Sequence, residues 1–452
     1  MDQFDLVVIG AGPGGYVAAA DAAKQGLRTA VIERRDLGGT CLNRGCIPTR
    51  ILLHAAHLLR QARQAPRLGL APLPEAALDP AALKAWRDET VTTLQSGITQ
   101  LFKLNKVTLF TGHGTLTAPD RVAVKAPDGT VTELGAKFVL LATGTVYAQP
   151  DFPGGELALS SDDILEHMDV VYPRLLVSGG GVTGVEFASA YADFGCQVTM
   201  ISSCTLRGMD RELARSIQAM LKKKGVEYHE GARVKELARI DSGILCTWED
   251  KNGRSVTETD AVLMAAARRS YTEDLFGPGV QPELDGANIK VDEFYRTSLP
   301  GVYAIGDVTG GKRLAHVASA AGRCAVAHML GKEAPMDMTA IPSCVYTSPQ
   351  IASVGLDADS AKAAGLQVKT RKLPMTVNGQ SLVTREERSF VKIVEELDTG
   401  RIVGAQLFCA QATEMISELS LAVARGMTVA DLSRVIRPHP TYNEVLGDLF
   451  AQ

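Results

Sequence analysis

The chain of 452 residues has no excess of charge of either sign, because 47 basic residues against 51 acidic leave a formal net charge of −4. Such a balance supplies no broad field for nucleic acid or an anionic membrane, so neither is an expected partner. Long hydrophobic runs are missing too. The N-terminal FDLVVIG is too short for a signal h-region or a membrane span, and no signal peptide precedes the chain, which points to the cytoplasm. Six of the eight cysteines (Cys196, Cys204, Cys246, Cys324, Cys344, Cys409) are scattered without metal-ligand spacing, so no metal is expected. No stretch is rich enough in Pro, Ser or Gly to tether an appended domain, and no low-complexity tail follows. LRQARQAPRLGLAPLPEAALDPAAL, near residues 59 to 83, reads as a surface excursion. What is present is an ordinary globular composition, 46% hydrophobic and 22% charged, at a length that suits about three domains.

Two segments begin in the same way. Asp5-Leu6-Val7-Val8-Ile9 is a short apolar, β-branched run that enters Gly10-Ala11-Gly12-Pro13-Gly14-Gly15, followed by the helical YVAAADAAKQG and a second strand RTAVIE ending at Glu33. Leu175-Leu176-Val177-Ser178 enters Gly179-Gly180-Gly181-Val182-Thr183-Gly184, followed by VEFASAYADFG and the strand QVTMIS. A lone G-x-G-x-x-G is weak evidence, but a strand before it and a helix after it make a dinucleotide-binding unit. A side chain in the turn would hold the backbone away from the pyrophosphate, which rests on the helix N-terminus. Two dinucleotide sites are therefore implied.

The two copies differ at the ribose end. Glu33 can accept hydrogen bonds from an unphosphorylated ribose, which suits the adenosine half of FAD. In the second copy Ser202 or Ser203 stands where a carboxylate would favour NAD, with Arg207 close behind. Serines beside an arginine accommodate a 2′-phosphate, while a loop arginine is as readily a solvated surface residue. NAD and NADP both stay open.

Some thirty residues beyond the first turn, GGTCLNRGCIPTR brings Cys41 and Cys46 together in sequence. On an ideal helix residues i and i+5 lie roughly 8.7 Å apart, beyond the reach of a disulfide. A bridge would need a distorted first turn; Gly45 relaxes the backbone there, and Pro48 suits a first turn continuing into ILLHAAHLL. Two free cysteines on a core helix remain the plainer reading of the spacing. A thiol pair next to a dinucleotide turn instead places one two-electron couple against another. In a reducing cytoplasm such a pair is more plausibly catalytic than structural.

Further along, VLLATGT (139 to 145) is a strand reaching a small-residue turn with Thr143 and Gly144, and GVYAIGDVTGG (301 to 311) is a buried strand ending at Asp307. Asp307 is the carboxylate expected against the cofactor, or else a turn residue. The helix LAHVASAAGRCAVAHML, from about Ala315, points its N-terminus at the flavin ring, where it would stabilise negative charge. His316 reads as structural.

Over essentially its whole length the chain resembles the pyridine nucleotide–disulfide oxidoreductases, most closely their dihydrolipoamide dehydrogenase branch, through GGTCLNRGCIP, VYAIGD, IPSCVYTSPQIASVG (341 to 355) and HPTYNE. The resemblance implies FAD along Gly10, Gly12, Gly14, Gly15, Glu33, Thr40, Thr143, Gly144, Asp307 and Ala315, with a Cys41–Cys46 disulfide beside it. It places NAD or NADP at Gly179, Gly181, Gly184 and Ser202. It also implies a homodimer in which His439 and Glu444 reach the disulfide of the partner subunit, Cys41 being the interchange thiol and Cys46 the one nearest the flavin. The chemistry agrees: thiolates rather than thiols attack disulfides, so a dithiol substrate needs a base, the role of His439, oriented by Glu444. One departure is Arg50, where the family has a lysine paired with a glutamate, here Glu186. Arginine keeps the charge but not the shape or the proton chemistry of an ammonium.

The implied fold is α/β, with two Rossmann-like domains and a C-terminal α+β dimerisation domain. FAD binding falls to 1–145 and 268–336, NAD(P) binding to 146–267, and dimerisation to 337–452, where SFVKIVEE and RIVGAQLF read as strands and ATEMISELSLAVARG as a helix. The leading function is oxidation of dihydrolipoamide, free or on a lipoyl protein of a 2-oxoacid dehydrogenase or glycine cleavage complex, with electrons passing through the thiol pair and FAD to NAD(P)+. A second reading is an NADPH-dependent reductase of another disulfide, a quinone or a metal ion. A third, from another class, is a redox-sensing or structural flavoprotein subunit, against which both thiols and His439–Glu444 argue.

Overall fold

The computed structural model describes residues 1–72, 76–266, 268–386 and 389–452. Strand β1 (Asp2–Ile9) runs at the centre of a parallel sheet, with β2 (Thr29–Glu33) and then Thr108–Thr111 on one side and Val131–Leu141 and then Val302–Ala304 on the other. Leu6, Val7, Val8 and Ile9 are all buried, as a parallel strand covered on both faces requires. Helix α1 (Pro13–Lys24) crosses between β1 and β2 and packs its alanines against the helix Ala315–Met329. An antiparallel flap, His113–Ala118 with Arg121–Lys125, extends the sheet through the long strand Val131–Leu141.

The second unit repeats the order. Glu227–Glu230, Gln197–Ser202, Arg174–Ser178 and Ala261–Met264 form a four-stranded parallel sheet, with the helix Val182–Phe194 as its first crossover. A three-stranded antiparallel sheet, Arg233–Ile240 to Gly253–Thr259, is set against it around Trp248 and Cys246. The C-terminal part is a five-stranded antiparallel sheet backed by the helix Ala412–Ala424, whose Met415, Ile416, Leu419 and Ala422 are buried in it. The fold class is the expected α/β one.

Both glycine turns fold alike because both are pinned the same way. A Cβ on Gly15 would sit 1.9 Å from the carbonyl oxygen of Gly10, and a Cβ on Gly184 would sit 1.9 Å from that of Gly179. Only glycine lets each helix start so close to the strand that feeds it.

Two expectations are corrected. The strand in GVYAIGD ends at Ala304, and Asp307 lies in a 3-10 turn, Gly306–Thr309, because Gly306 turns the chain with a φ of +74°. The excursion expected near 59 to 83 is shorter: its start belongs to a helix running to Arg63, residues 73–75 lie outside the described residues, and a 25-residue helix opens at Pro80. That helix, Pro80–Leu104, has a full start signal, with proline in its first turn and Asp79 accepting the Ala82 N–H. Among the described residues no helix is long and apolar enough to cross a membrane.

Candidate active site

Cys41 and Cys46 meet across a helix break. The short helix α2 (Gly39–Arg44) ends at Gly45, whose backbone angles of −139° and −113° are not helical, and α3 (Cys46–Arg63) starts afresh. A Cβ on Gly45 would lie 2.8 Å from the Thr40 carbonyl oxygen and 3.2 Å from the Cys41 Cα, so the close approach of the two cysteines depends on that glycine. The distorted turn expected from the spacing is thus present, with Pro48 in the first turn of α3.

Both cysteines are free thiols here, the reduced form of the pair, and share a hydrogen bond. It splits their acidities. The bond from Cys41 holds the Cys46 thiol below its ordinary value, with partial burial opposing and the positive charge of Arg50 assisting; the same bond, burial and the Cys46 charge push Cys41 far up. Cys46 is also the first residue of α3, where the helix dipole favours an anion. The arrangement favours ionisation at Cys46 over Cys41. Cys344 is pushed up to about 11 by burial and stays protonated.

The segment is docked on the first glycine turn. The Gly38 N–H donates to the Ala11 carbonyl at 2.8 Å, and a Cβ on Gly39 would come within 2.8 Å of the Gly12 Cα. Arg44, buried at the end of α2, pairs with Asp36 at 2.9 Å and Glu166 at 3.3 Å, and the Asn43 amide donates to the Leu37 and Gly39 carbonyls. The thiols are therefore fixed to whatever lies along that turn.

Arg50 stands one turn beyond Cys46 on α3. Its Nη2 donates to both oxygens of the Glu186 carboxylate at 2.9 Å, and its guanidinium lies 3.4 Å from the centre of the Tyr346 ring. Glu186 is buried and also accepts the Tyr346 N–H at 2.8 Å. The pair expected from resemblance is thus brought together, and the planar stack on Tyr346 is open to an arginine in a way it is not to a lysine. Tyr346 lies within IPSCVYTSPQIASVG, but a stacking partner from another domain has no local sequence signal.

The residues fit a bound dinucleotide at each turn. Gly12 and Gly181 have nearly the same extended backbone (φ −69° and −74°), and a Cβ on either would meet nothing within 4 Å. No protein atom requires glycine there; space for a phosphate at the helix N-terminus does. Gly14 instead packs on Ile305 and Ala318, and Gly10 and Gly179 turn the chain with φ of +102° and +127°. Glu33, at the end of β2, accepts the Ala11 N–H at 2.7 Å and the Arg35 N–H at 2.9 Å, leaving a lone pair on each oxygen for ribose hydroxyls. Burial pushes the Asp307 carboxyl up; Thr145, whose hydroxyl donates to it at 3.2 Å, and the nearby Arg313 and Arg268 oppose. Sequence reading missed Thr145 and Arg268, which come from separate strands and bond to each other at 3.0 Å. Thr143 donates to the Tyr271 carbonyl, Gly144 is open in front with a φ of +71°, Thr40 is the second residue of α2, and Ala315 is the first residue of its helix.

Ser202 is buried at the end of its strand; its hydroxyl donates to the Cys204 carbonyl at 2.6 Å and accepts the Cys204 N–H at 3.1 Å, which shapes the loop. The exposed side chains there are Ser203 and Arg207, the latter 3.2 Å from the Cys204 Sγ.

His439 sits in the C-terminal part with its side chain 80% exposed, Nδ1 2.8 Å from Glu444 Oε1. Glu444 also accepts the Thr441 N–H, and that bond together with the one to His439 holds its carboxyl below the usual range. Among the described residues the imidazole has no hydrogen bond to Cys41 or Cys46 of its own chain, and no His/Cys/Asp/Glu group is arranged to hold a metal.

Two dinucleotide cradles on one chain, with a pair of cysteines locked to the first, define a class of electron-transferring flavoproteins. The chain belongs to the pyridine nucleotide-disulphide oxidoreductase family, whose model matches residues 4–322, while the model of that family's dimerisation domain matches 341–450. It is a flavin-dependent disulfide oxidoreductase that uses FAD and a nicotinamide nucleotide. Its relatives include a dihydrolipoyl dehydrogenase of Bacillus subtilis, 37% identical over 99% of this chain and 97% of the other. Among solved structures it is similar to LpdA from Mycobacterium tuberculosis (28% identity, TM-score 0.90, covering 100% of this chain and 99% of that one). It is also similar to the HOCl-induced flavoprotein disulfide reductase RclA from Escherichia coli, seen as a Cu(II) complex (26% identity, TM-score 0.88, covering 100% and 99%).

Proposed function

We propose that this protein oxidises dihydrolipoamide, free or carried as a lipoyl group on protein, and passes the electrons to NAD+. The observation that supports the reading best is the placement of Cys41 and Cys46, brought together across the break at Gly45 and held on the first dinucleotide turn. In the oxidised pair, a substrate thiolate attacks Cys41 and Cys46 leaves as the thiolate that the Arg50 charge and the N-terminus of α3 favour. The second substrate sulfur then attacks its own mixed disulfide, releasing the cyclic disulfide and the Cys41 thiol. His439, oriented by Glu444, takes the proton from each attacking thiol. Gly10 to Gly15, Glu33, Thr143, Gly144 and Asp307 would hold FAD, which would supply the two-electron link between the thiols and a nucleotide held at Gly179 to Gly184.

In this reading 1–145 and 268–336 hold FAD, 146–267 hold the nicotinamide nucleotide and 337–452 make the homodimer, His439 serving the partner subunit's thiol pair. The match to a dimerisation domain supports that arrangement. The near-neutral charge suits a protein or small-molecule dithiol in place of nucleic acid, and the scatter of the six cysteines outside the pair suits a reducing cytoplasm. A 2-oxoacid dehydrogenase or glycine cleavage complex is the class of assembly that would supply a lipoyl substrate. Reduction of another disulfide with NADPH is the second reading, favoured by the loop after Gln197–Ser202, where Arg207 is present and a counterpart of Glu33 is not. Turnover of dihydrolipoamide with NAD+ and with NADP+ side by side tests both. Brisk NAD+-linked oxidation is expected, and NADPH-linked reduction without dithiol oxidation would overturn it.

A further inference from the structure

An exposed imidazole needs its loop held still, and the loop carrying His439 has no regular structure. It spans the interval between the helices Val429–Ser433 and Glu444–Ala451. The His439–Glu444 bond orients the ring on the second helix, but it does not tie the loop to the domain. That tie comes from Glu418 on the helix Ala412–Ala424. Its Oε1 accepts the Arg437 guanidinium, and its Oε2 accepts the Asn443 amide at 2.7 Å. One carboxylate therefore grips the chain two residues before His439 and four residues after it.

The grip is half-buried, with Arg437 its most enclosed side chain. The Arg437 side chain is 5% exposed; its Nη1 donates to the carbonyls of Leu432 at 3.3 Å and Val435 at 3.1 Å, and its guanidinium lies 5.3 Å from the Phe450 ring centre. A charge-assisted pair of this kind fixes position and angle, not merely proximity. Two lighter contacts act alongside it: the Asn378 amide donates to the Thr441 carbonyl at 2.9 Å, and the Tyr442 hydroxyl donates to Thr384 at 2.7 Å.

We infer that Glu418 is a positioning residue for the dithiol step: by clamping Arg437 and Asn443 it closes the loop on both sides of His439 and sets where the imidazole is presented to the thiol pair. The inference rests on His439 being the base. It predicts a particular split. Glu418→Ala in the FAD-loaded dimer should lower kcat for dihydrolipoamide oxidation by about 10- to 100-fold, the scale on which small misplacement of a reacting group acts, with KM for the dithiol little changed. NADH-dependent reduction of ferricyanide, which needs no base at the thiols, should stay within about two-fold of the wild type, because the clamp touches nothing on that route. Glu418→Gln, which keeps an acceptor for Asn443, should recover much of the loss. Unchanged dithiol turnover in Glu418→Ala, or equal loss of both activities, would overturn the inference. Should Glu418→Ala fail to accumulate as a flavoprotein, Asn443→Ala decides: the same split supports the clamp and its absence refutes it. His439→Ala run in parallel separates the two levels. Normal turnover there removes the base itself, whereas slow His439→Ala beside normal Glu418→Ala removes the clamp alone.

Discussion

Alanine at Gly181 separates what the protein needs from what a bound nucleotide needs. The backbone there, φ −74° and ψ −178°, is open to any residue, and the added methyl would meet no protein atom within 4 Å. Reduced freedom of the unfolded chain favours the alanine by about 0.4–1 kcal/mol, and loss of a tolerable helix N-cap costs a comparable amount. The change in stability should be close to zero. The same methyl projects over the N-terminus of Val182–Phe194, where a pyrophosphate would take backbone N–H bonds. Forfeiting one charge-assisted bond of about 1.5–3 kcal/mol raises KM for the nucleotide by about 10- to 100-fold. The assay is KM for NAD+ in dithiol oxidation, beside a thermal melt and the bound FAD content, both expected to be unchanged. Gly184→Ala is the contrast: its Cβ falls 1.9 Å from the Gly179 carbonyl oxygen, so it should damage the fold of that unit. A normal KM in Gly181→Ala would show that the nucleotide does not lie on this turn.

Two further changes probe the thiol end. His439→Ala should slow dihydrolipoamide oxidation by about 10²-fold or more while sparing ferricyanide reduction; near-normal turnover refutes the assignment of the base. Arg50→Met removes a positive charge that favours the Cys46 thiolate, after the bond from Cys41 the second influence holding that thiol low. Ionisation of Cys46 should therefore move to higher pH, and less thiolate should be present at any fixed pH below the new midpoint. Ultraviolet titration of the reduced protein checks the sign, and an unmoved or lowered midpoint contradicts it.

How far the sequence reaches depends on how local the cause is. Strands, glycines and helices of the two nucleotide units follow one another along the chain, so β1, β2, Gln197–Ser202 and their turns were readable almost to the residue. The break at Gly45 was readable too, because i and i+5 spacing on a helix is a geometric constraint. Glu186 and His439 entered only through family resemblance, since each is far in sequence from the cysteines it serves. Gly39 against Gly12, Tyr346 on Arg50 and Glu418 under the His439 loop were out of reach, being contacts between elements that meet only on folding. The bond from the Ser202 hydroxyl to the Cys204 carbonyl has no sequence signal either. The helix Pro80–Leu104 was overlooked within an Ala- and Pro-rich stretch, although Asp79-Pro80 marks its start.

The central claim is that Cys41 and Cys46 form a second two-electron store in contact with the flavin. Anaerobic reductive titration of the FAD-loaded protein measures that store directly. Uptake of four electrons per subunit is expected, two by the flavin and two by the thiol pair, with a long-wavelength thiolate–flavin absorbance at the midpoint that Cys46→Ser abolishes. Uptake of only two electrons by the wild type, or a long-wavelength band that survives Cys46→Ser, would contradict it.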